Sequence, residues 1–71
     1  MNKFNPKKLL NSKWTAVKPT NKERHFMITK VKFDDEGEIE ACVIEALMSK
    51  RSNDIDYNEL KDSDRWLQGW Q

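Results

Sequence analysis

The stretch HFMITKVKF, residues 25–33, followed by DDEG, residues 34–37, decides the fold. In a β-strand, successive side chains point to opposite faces. Period-two alternation therefore gives two faces, one with Met27, Thr29, Val31 and Phe33 and the other with Phe26, Ile28, Lys30 and Lys32. A short polar connection with a glycine in the left-handed conformation makes a hairpin turn. The sequence predicts a strand over residues 25–33 that enters a hairpin through Gly37.

Residues 38–50 must then supply the partner strand, although their composition is ambiguous. Glu, Ala, Leu and Met are strong helix formers, and the apolar residues also fit helical spacing. The hairpin requirement favours a strand. We expect a strand here, with a helix over residues 38–50 as the alternative, which would make the fold α+β.

The remaining elements are short. Asn5 and Pro6 suit the start of a helical turn, and residues 13–17 predict a strand that Pro19 ends. We further expect a turn over residues 52–54, a short strand over residues 55–57, and a helical turn capped by Asp62 or Ser63 and stopped by Gly69. The predicted fold is mainly β: a single domain over residues 1–71 with a small curled antiparallel sheet or SH3-like barrel of three to four strands, and short helical turns at both ends.

The core of so short a chain is small. A chain of 71 residues buries only about 60% of the surface that its unfolded form exposes. Buried aromatic rings supply much of the missing apolar area. The core candidates are Trp14, Phe26, Phe33, Tyr57 and Trp66. We expect a shallow groove or a partner interface in place of an enclosed active site, in a monomer or in a homodimer that covers a sheet edge.

The residues that chemistry needs are scarce. One histidine, His25, and one cysteine, Cys42, cannot make a four-ligand zinc site. No activated nucleophile or glycine-rich phosphate loop is recognisable. We therefore expect no catalytic residue, no metal and no cofactor, and hence not an enzyme. The lone cysteine and the absence of an export signal or a long apolar run predict a cytoplasmic protein that does not cross a membrane.

Charge is distributed unevenly along the chain. Residues 1–24 carry seven Lys or Arg against one acid, Glu23, whereas residues 25–71 carry six against eleven acids, so the two parts have net charges of +6 and −5. Cations attract phosphates, and aromatic rings stack on bases. This pattern supports a nucleic-acid-binding protein as an alternative function. Its interface residues would be Lys7, Lys8, Lys13, Trp14, Lys18 and Arg24.

The C-terminal end carries the other candidate site. Arg65, Trp66 and Trp70 are of the residue types that dominate the energetics of protein–protein interfaces. The sequence therefore predicts a small non-catalytic binding or adaptor module that engages a protein partner through this tryptophan-containing surface.

Several of these segments together resemble a family of small tryptophan-rich bacterial proteins. The matching segments are Asn5–Leu10, Ser12–Ala16, His25–Phe26, Leu60–Asp62, Trp66 and Gly69–Trp70. Tyr57 stands where that family often has tryptophan. The resemblance implies a cytoplasmic, single-domain protein, and it brings no established activity, substrate or cofactor.

Overall fold

The computed structural model describes all 71 residues. It contains five strands and two short 3-10 helices. In chain order these are η1 (Pro6–Lys8), β1 (Lys13–Thr20), β2 (Glu23–Phe33), β3 (Ile39–Ala46), β4 (Ser52–Ile55), η2 (Tyr57–Lys61) and β5 (Trp66–Gln68). The strands form one antiparallel sheet in the order β4-β3-β2-β1-β5. The mainly-β prediction is confirmed: of the two predicted forms the structure has the antiparallel sheet, which is open and has five strands in place of three or four.

Within residues 38–50, Ile39–Ala46 form the strand β3, so the helical alternative is wrong. β3 pairs with β2 on one side and with β4 on the other. Two ladders of hydrogen bonds outweigh the helix propensity of these residues, because propensities of ordinary residue types differ by at most about 0.7 kcal/mol per residue. Gly37 has a φ of 82°, the left-handed conformation that the hairpin turn requires.

The two faces of the sheet have different environments. We call the face that carries Trp14, Ile28 and Ile44 the core face, and the face that carries Thr15 and His25 the outer face. Ile28 lies opposite Ile44, and Thr15 lies opposite His25, so each pair projects from the same side of the sheet. The core cluster on the core face consists of Leu9, Trp14, Ile28, Cys42, Ile44 and Leu60.

A break in the pairing of β2 with β3 changes which residues in the second half of β2 face the core. The register shifts between Ile28 and Lys30, after which Val31 lies opposite Cys42. An extra residue of this kind is a β-bulge, which bends the strand and leaves one residue unpaired. Val31 consequently packs against the core cluster together with Phe26. The uninterrupted alternation predicted for residues 25–33 is therefore wrong beyond Ile28.

The N-terminal segment and η2 cover one half of the core face. Leu9 and Leu60 are buried there, and the Phe4 ring meets the Trp14 ring edge-on at 5.6 Å. Asn2 fastens this cover, because its side-chain amide donates to the carbonyl oxygens of Leu60 at 2.9 Å and Trp66 at 2.6 Å. Residues far apart in the sequence thus close a single core.

The C-terminal part differs from expectation by a few residues. β4 occupies residues 52–55, where a turn was predicted, and Tyr57 begins η2 after the N-cap Asp56. Asp62 does cap a turn, accepting from the backbone N–H of Asp64 at 2.9 Å, but Trp66 then starts a strand. β5 forms because it can pair with the otherwise free edge of β1.

The predicted core residues divide into three groups. Trp14 is fully buried. Phe26, Tyr57 and Trp66 are half-buried and pack against the core cluster. Phe33 is 42% exposed, so its assignment to the core is wrong; it lies at the end of β2, beyond the reach of the covering segments.

Candidate binding groove

The other half of the core face is an open groove with a volume of about 600 Å³. Residues of all five strands line it, including those of the two edge strands, so the sheet bends around it. The floor is apolar and consists of Ala16, Phe26, Ile44, Ile55 and Trp66. A concave site of this size with an apolar lining is typical of ligand-binding clefts.

Trp66 is the main aromatic side chain in this groove. It lies opposite Ala16 on β1, and its ring meets the Phe26 ring edge-on at 5.1 Å. The Trp14 and Trp70 indoles donate to acceptors in the chain. The Trp66 indole N–H has no such acceptor, and no buried side-chain nitrogen or oxygen lacks a partner, so this N–H is accessible to solvent. A ligand carbonyl could accept it.

The rim of the groove carries charges of both signs. The Arg65 guanidinium donates to the Glu59 carboxylate at 3.0 Å, and Arg51 lies 3.6 Å from Glu23, whose carboxylate also accepts from the Ser49 hydroxyl. Lys18, Asp54 and Asp64 line the groove as well and make no salt bridge. Because the rim is mixed in sign, it does not favour a polyanion or a polycation.

The structure brings two of the three predicted partner-binding residues together. Arg65 and Trp66 both line the groove. Trp70 lies on the outer face, where its indole N–H donates to the Phe26 carbonyl oxygen at 3.0 Å and Lys13 Nζ lies 4.8 Å from its ring centroid. Trp70 therefore does not belong to the groove.

Gly69 explains this separation. Its φ of 78° turns the chain back over the outer face, where the Thr15 hydroxyl donates to the Gly69 carbonyl oxygen at 2.7 Å and accepts from the Gln71 N–H at 2.9 Å. These bonds fix the C-terminal residues and bury Thr15.

The residues predicted for a nucleic-acid interface do not form one surface. Lys7 and Lys8 lie on η1, on the core side, and Lys18 lies on the groove rim. Trp14 is 1% exposed, and its ring is therefore not available to stack on a base. Lys13 lies beside Trp70, and Arg24 lines a cavity with His25, whose ring adjoins that of Trp70. Neither His25 nor Trp70 is among the residues predicted for the nucleic-acid interface.

The family comparison agrees with the resemblance seen in the sequence. A family model described as "Tryptophan-rich protein (DUF2389)" matches residues 12–71. The chain belongs to this family. All groove-lining residues and all three tryptophans fall within the residues matched to the tryptophan-rich family, whereas Phe4 and Leu9 precede them. A search of curated proteins and a search of solved structures each returned no match.

The reactive side chains of this tryptophan-rich protein are placed apart. Cys42 is buried on the core face, where its thiol donates to the Ile55 carbonyl oxygen at 3.2 Å. Burial, and next the charges of Asp56 and Asp54, raise the pKa of the Cys42 thiol above its ordinary value, which disfavours the thiolate that acts as nucleophile or metal ligand. His25 lies on the outer face, its Nε2 atom 2.9 Å from the Gln71 carbonyl oxygen.

No group of three or more His, Cys, Asp or Glu side chains could hold a metal ion, and no helix is both long enough and apolar enough to cross a bilayer.

Proposed function

We propose that this protein is a non-catalytic binding or adaptor module that holds an extended segment of a protein partner in the groove. Trp66 anchors an apolar side chain of that segment, and Arg65 contacts it from the rim. The observation that supports this most is the half-buried Trp66 ring on an apolar floor, with an indole N–H that has no acceptor in the chain.

The chemistry of the groove favours a peptide over other ligands. Interfaces place apolar and aromatic side chains at the centre and polar groups at the rim, and the groove has this arrangement around Phe26 and Trp66. The edge strands β4 and β5 both contribute to its walls. An extended chain can bond to such edges through its backbone while its side chains occupy the floor.

The proposed setting is the cytoplasm of a bacterial cell. The resemblance to tryptophan-rich bacterial proteins supports it, as does the lone, buried Cys42. The raised pKa of the Cys42 thiol and the distance of His25 from the groove lining support a role without catalysis.

A groove-filling substitution with a matched control tests the proposal. Ala16→Leu replaces a methyl group on the groove floor by an isobutyl group, whereas Val17→Leu alters the next residue on the opposite face, and neither changes the charge. Peptides are selected on the wild-type protein from a random phage library, and their affinities are measured by fluorescence anisotropy. We expect selected peptides with an apolar or aromatic anchor to bind Ala16→Leu about tenfold more weakly, or about 1.4 kcal/mol, and to bind Val17→Leu unchanged.

Two results would contradict the groove assignment. One is a selection that yields no peptide above background. The other is equal affinity of the selected peptides for the wild type and Ala16→Leu, with thermal unfolding showing that both are folded.

A further inference from the structure

A second surface, distinct from the groove, extends from the outer face to the end of the sheet at the β1–β2 turn, and on it cations and an exposed ring adjoin one another. We call it the outer basic surface and define it as Lys13, Lys22, Arg24, His25 and Trp70. Lys13 Nζ lies 4.8 Å from the Trp70 ring centroid. The Trp70 ring lies 6.3 Å from the His25 ring. His25 in turn lines a cavity with Lys22 and Arg24, so the five side chains form a continuous path.

The charges of this surface are not neutralised by the chain. Lys13, Lys22 and Arg24 are exposed and make no salt bridge. The cavity has a volume of about 320 Å³ and contains no acidic residue in its lining, which is completed by Leu47 and Met48. Two acids adjoin this surface, and both have other partners. Glu23, between Lys22 and Arg24 in the chain, lies 3.6 Å from Arg51, and Glu45, opposite Met27, accepts from the Ser52 hydroxyl. Three cations without an ion-pair partner therefore face solvent: Lys22 and Arg24 at the cavity, and Lys13 beside Trp70.

The aromatic side chain decides which anion this surface fits. Trp70 is 44% exposed, and its indole N–H is already bonded to the Phe26 carbonyl oxygen, which fixes the ring and leaves part of it free. Stacking of bases on such a ring, next to cations that track a phosphate backbone, is how proteins hold single strands without sequence preference. A duplex presents no free base face inside its length, so it would use the cations alone.

We propose that the outer basic surface binds single-stranded nucleic acid, with a base on Trp70 and phosphates at Lys13, Lys22 and Arg24. The contacts are to base faces and phosphates, which RNA and DNA share. This proposal does not depend on the groove, because none of the five residues lines it.

Anisotropy of labelled oligouridylate and oligodeoxythymidylate of about ten nucleotides tests the proposal, with RNA and DNA as separate arms. Neutralising three phosphates gives a salt slope of about −2, since each contributes about −0.7 for single strands. We expect micromolar binding at about 20 mM salt that weakens about 100-fold at about 200 mM. A duplex of the same length should bind at least several-fold more weakly.

Two matched pairs of variants locate the site. The double variant Lys22→Ala/Arg24→Ala should weaken binding and reduce the salt slope by about 1.4, whereas Lys7→Ala/Lys8→Ala, which removes the same charge from η1, should leave both unchanged. Trp70→Leu should weaken binding about tenfold, whereas Trp70→Phe retains most of it, and the groove variant Ala16→Leu has no effect. No binding at low salt, equal losses in the two double variants, or duplex binding as tight as single-strand binding would each overturn the proposal.

Discussion

Trp14 and Trp66 lie on neighbouring strands and on the same face of the sheet, yet their surroundings differ completely. Trp14 is 1% exposed, is covered by Phe4 and Leu9, and donates its indole N–H to the Ser12 hydroxyl at 2.8 Å. Trp66 is half-buried, packs edge-on against Phe26, and has no acceptor for its indole N–H. The covering segment, and not the side chain itself, decides which tryptophan belongs to the core and which remains available for binding.

The largest expected effect is the loss of Trp14. Replacing a fully buried tryptophan by alanine costs about 3–5 kcal/mol, which is a large share of the roughly 4–10 kcal/mol expected for a domain of this size. We expect Trp14→Ala to lose about 3–5 kcal/mol of unfolding free energy, as measured by circular dichroism in a urea titration. Trp14→Phe, which retains a ring, should remain folded. A Trp14→Ala protein with nearly wild-type stability would contradict the assignment of Trp14 to the core.

Removing Trp66 should cost clearly less. Half of the burial of a large side chain and one edge-on aromatic pair together contribute about 1–3 kcal/mol. We expect Trp66→Ala to unfold cooperatively in urea with its midpoint moderately lowered, while binding of groove-selected peptides is abolished. Equal destabilisation by Trp66→Ala and Trp14→Ala would remove the distinction between the covered and the open half.

The cover itself can be loosened at Asn2. Its side-chain amide donates two hydrogen bonds, to the Leu60 and Trp66 carbonyl oxygens, and each such bond contributes about 0.5–1.5 kcal/mol. We expect Asn2→Ala to lower the free energy of unfolding by about 1 kcal/mol and to raise hydrogen exchange at residues 57–61. Lys3→Ala is the neighbouring control, because the exposed Lys3 side chain has no hydrogen bond or salt bridge, and it should leave exchange unchanged. Exchange at residues 57–61 that is unaffected by Asn2→Ala would show that Asn2 does not hold the cover.

The smallest effect concerns pH and the covered Cys42. Because burial raises the pKa of its thiol in the folded state above the ordinary value of 9.0, the unfolded chain loses this proton first as pH rises. The contribution of Cys42 to stability is therefore complete below about pH 9 and declines as pH rises from there through the folded-state pKa. We expect the difference in unfolding free energy between wild type and Cys42→Ala, from urea titrations, to shrink between about pH 7 and pH 10.5. A difference independent of pH would contradict the burial of the thiol.

The sequence predicts the local elements of this fold well because local rules govern them. β-branched and aromatic residues identify β1 and β2, and Gly37 marks the hairpin turn. The prediction that Pro19 ends β1 is wrong, because the strand continues to Thr20. The bulge after Ile28 is set by how β2 fits its neighbour β3, which no single strand encodes. β5 forms through pairing with β1, across about fifty residues of chain, so its three residues carry no strong strand pattern of their own.

In the candidate site, too, residue type predicts some members, whereas others are set by how the strands pair. Residue type alone indicates Arg65 and Trp66 as interface residues, and both line the groove. The place of Trp70 depends on the left-handed turn at Gly69, which was predicted to end a helix and in fact redirects the chain over the outer face. The remaining floor residues, Ala16 and Phe26, lie beside Trp66 only after the strands have paired.

Hydrogen exchange of the three indole N–H groups tests the contrast between the covered and the open half most directly. Exchange is followed by NMR of the nitrogen-15-labelled protein, and the three signals are assigned with single tryptophan-to-phenylalanine variants. The structure predicts that the Trp14 indole exchanges slowly, at a rate near that of global unfolding, that the Trp70 indole is partly protected by its bond to the Phe26 carbonyl, and that the Trp66 indole exchanges fastest. A Trp66 indole as strongly protected as that of Trp14 would mean that the groove is closed in solution, and it would contradict the division of the core face into a covered and an open half.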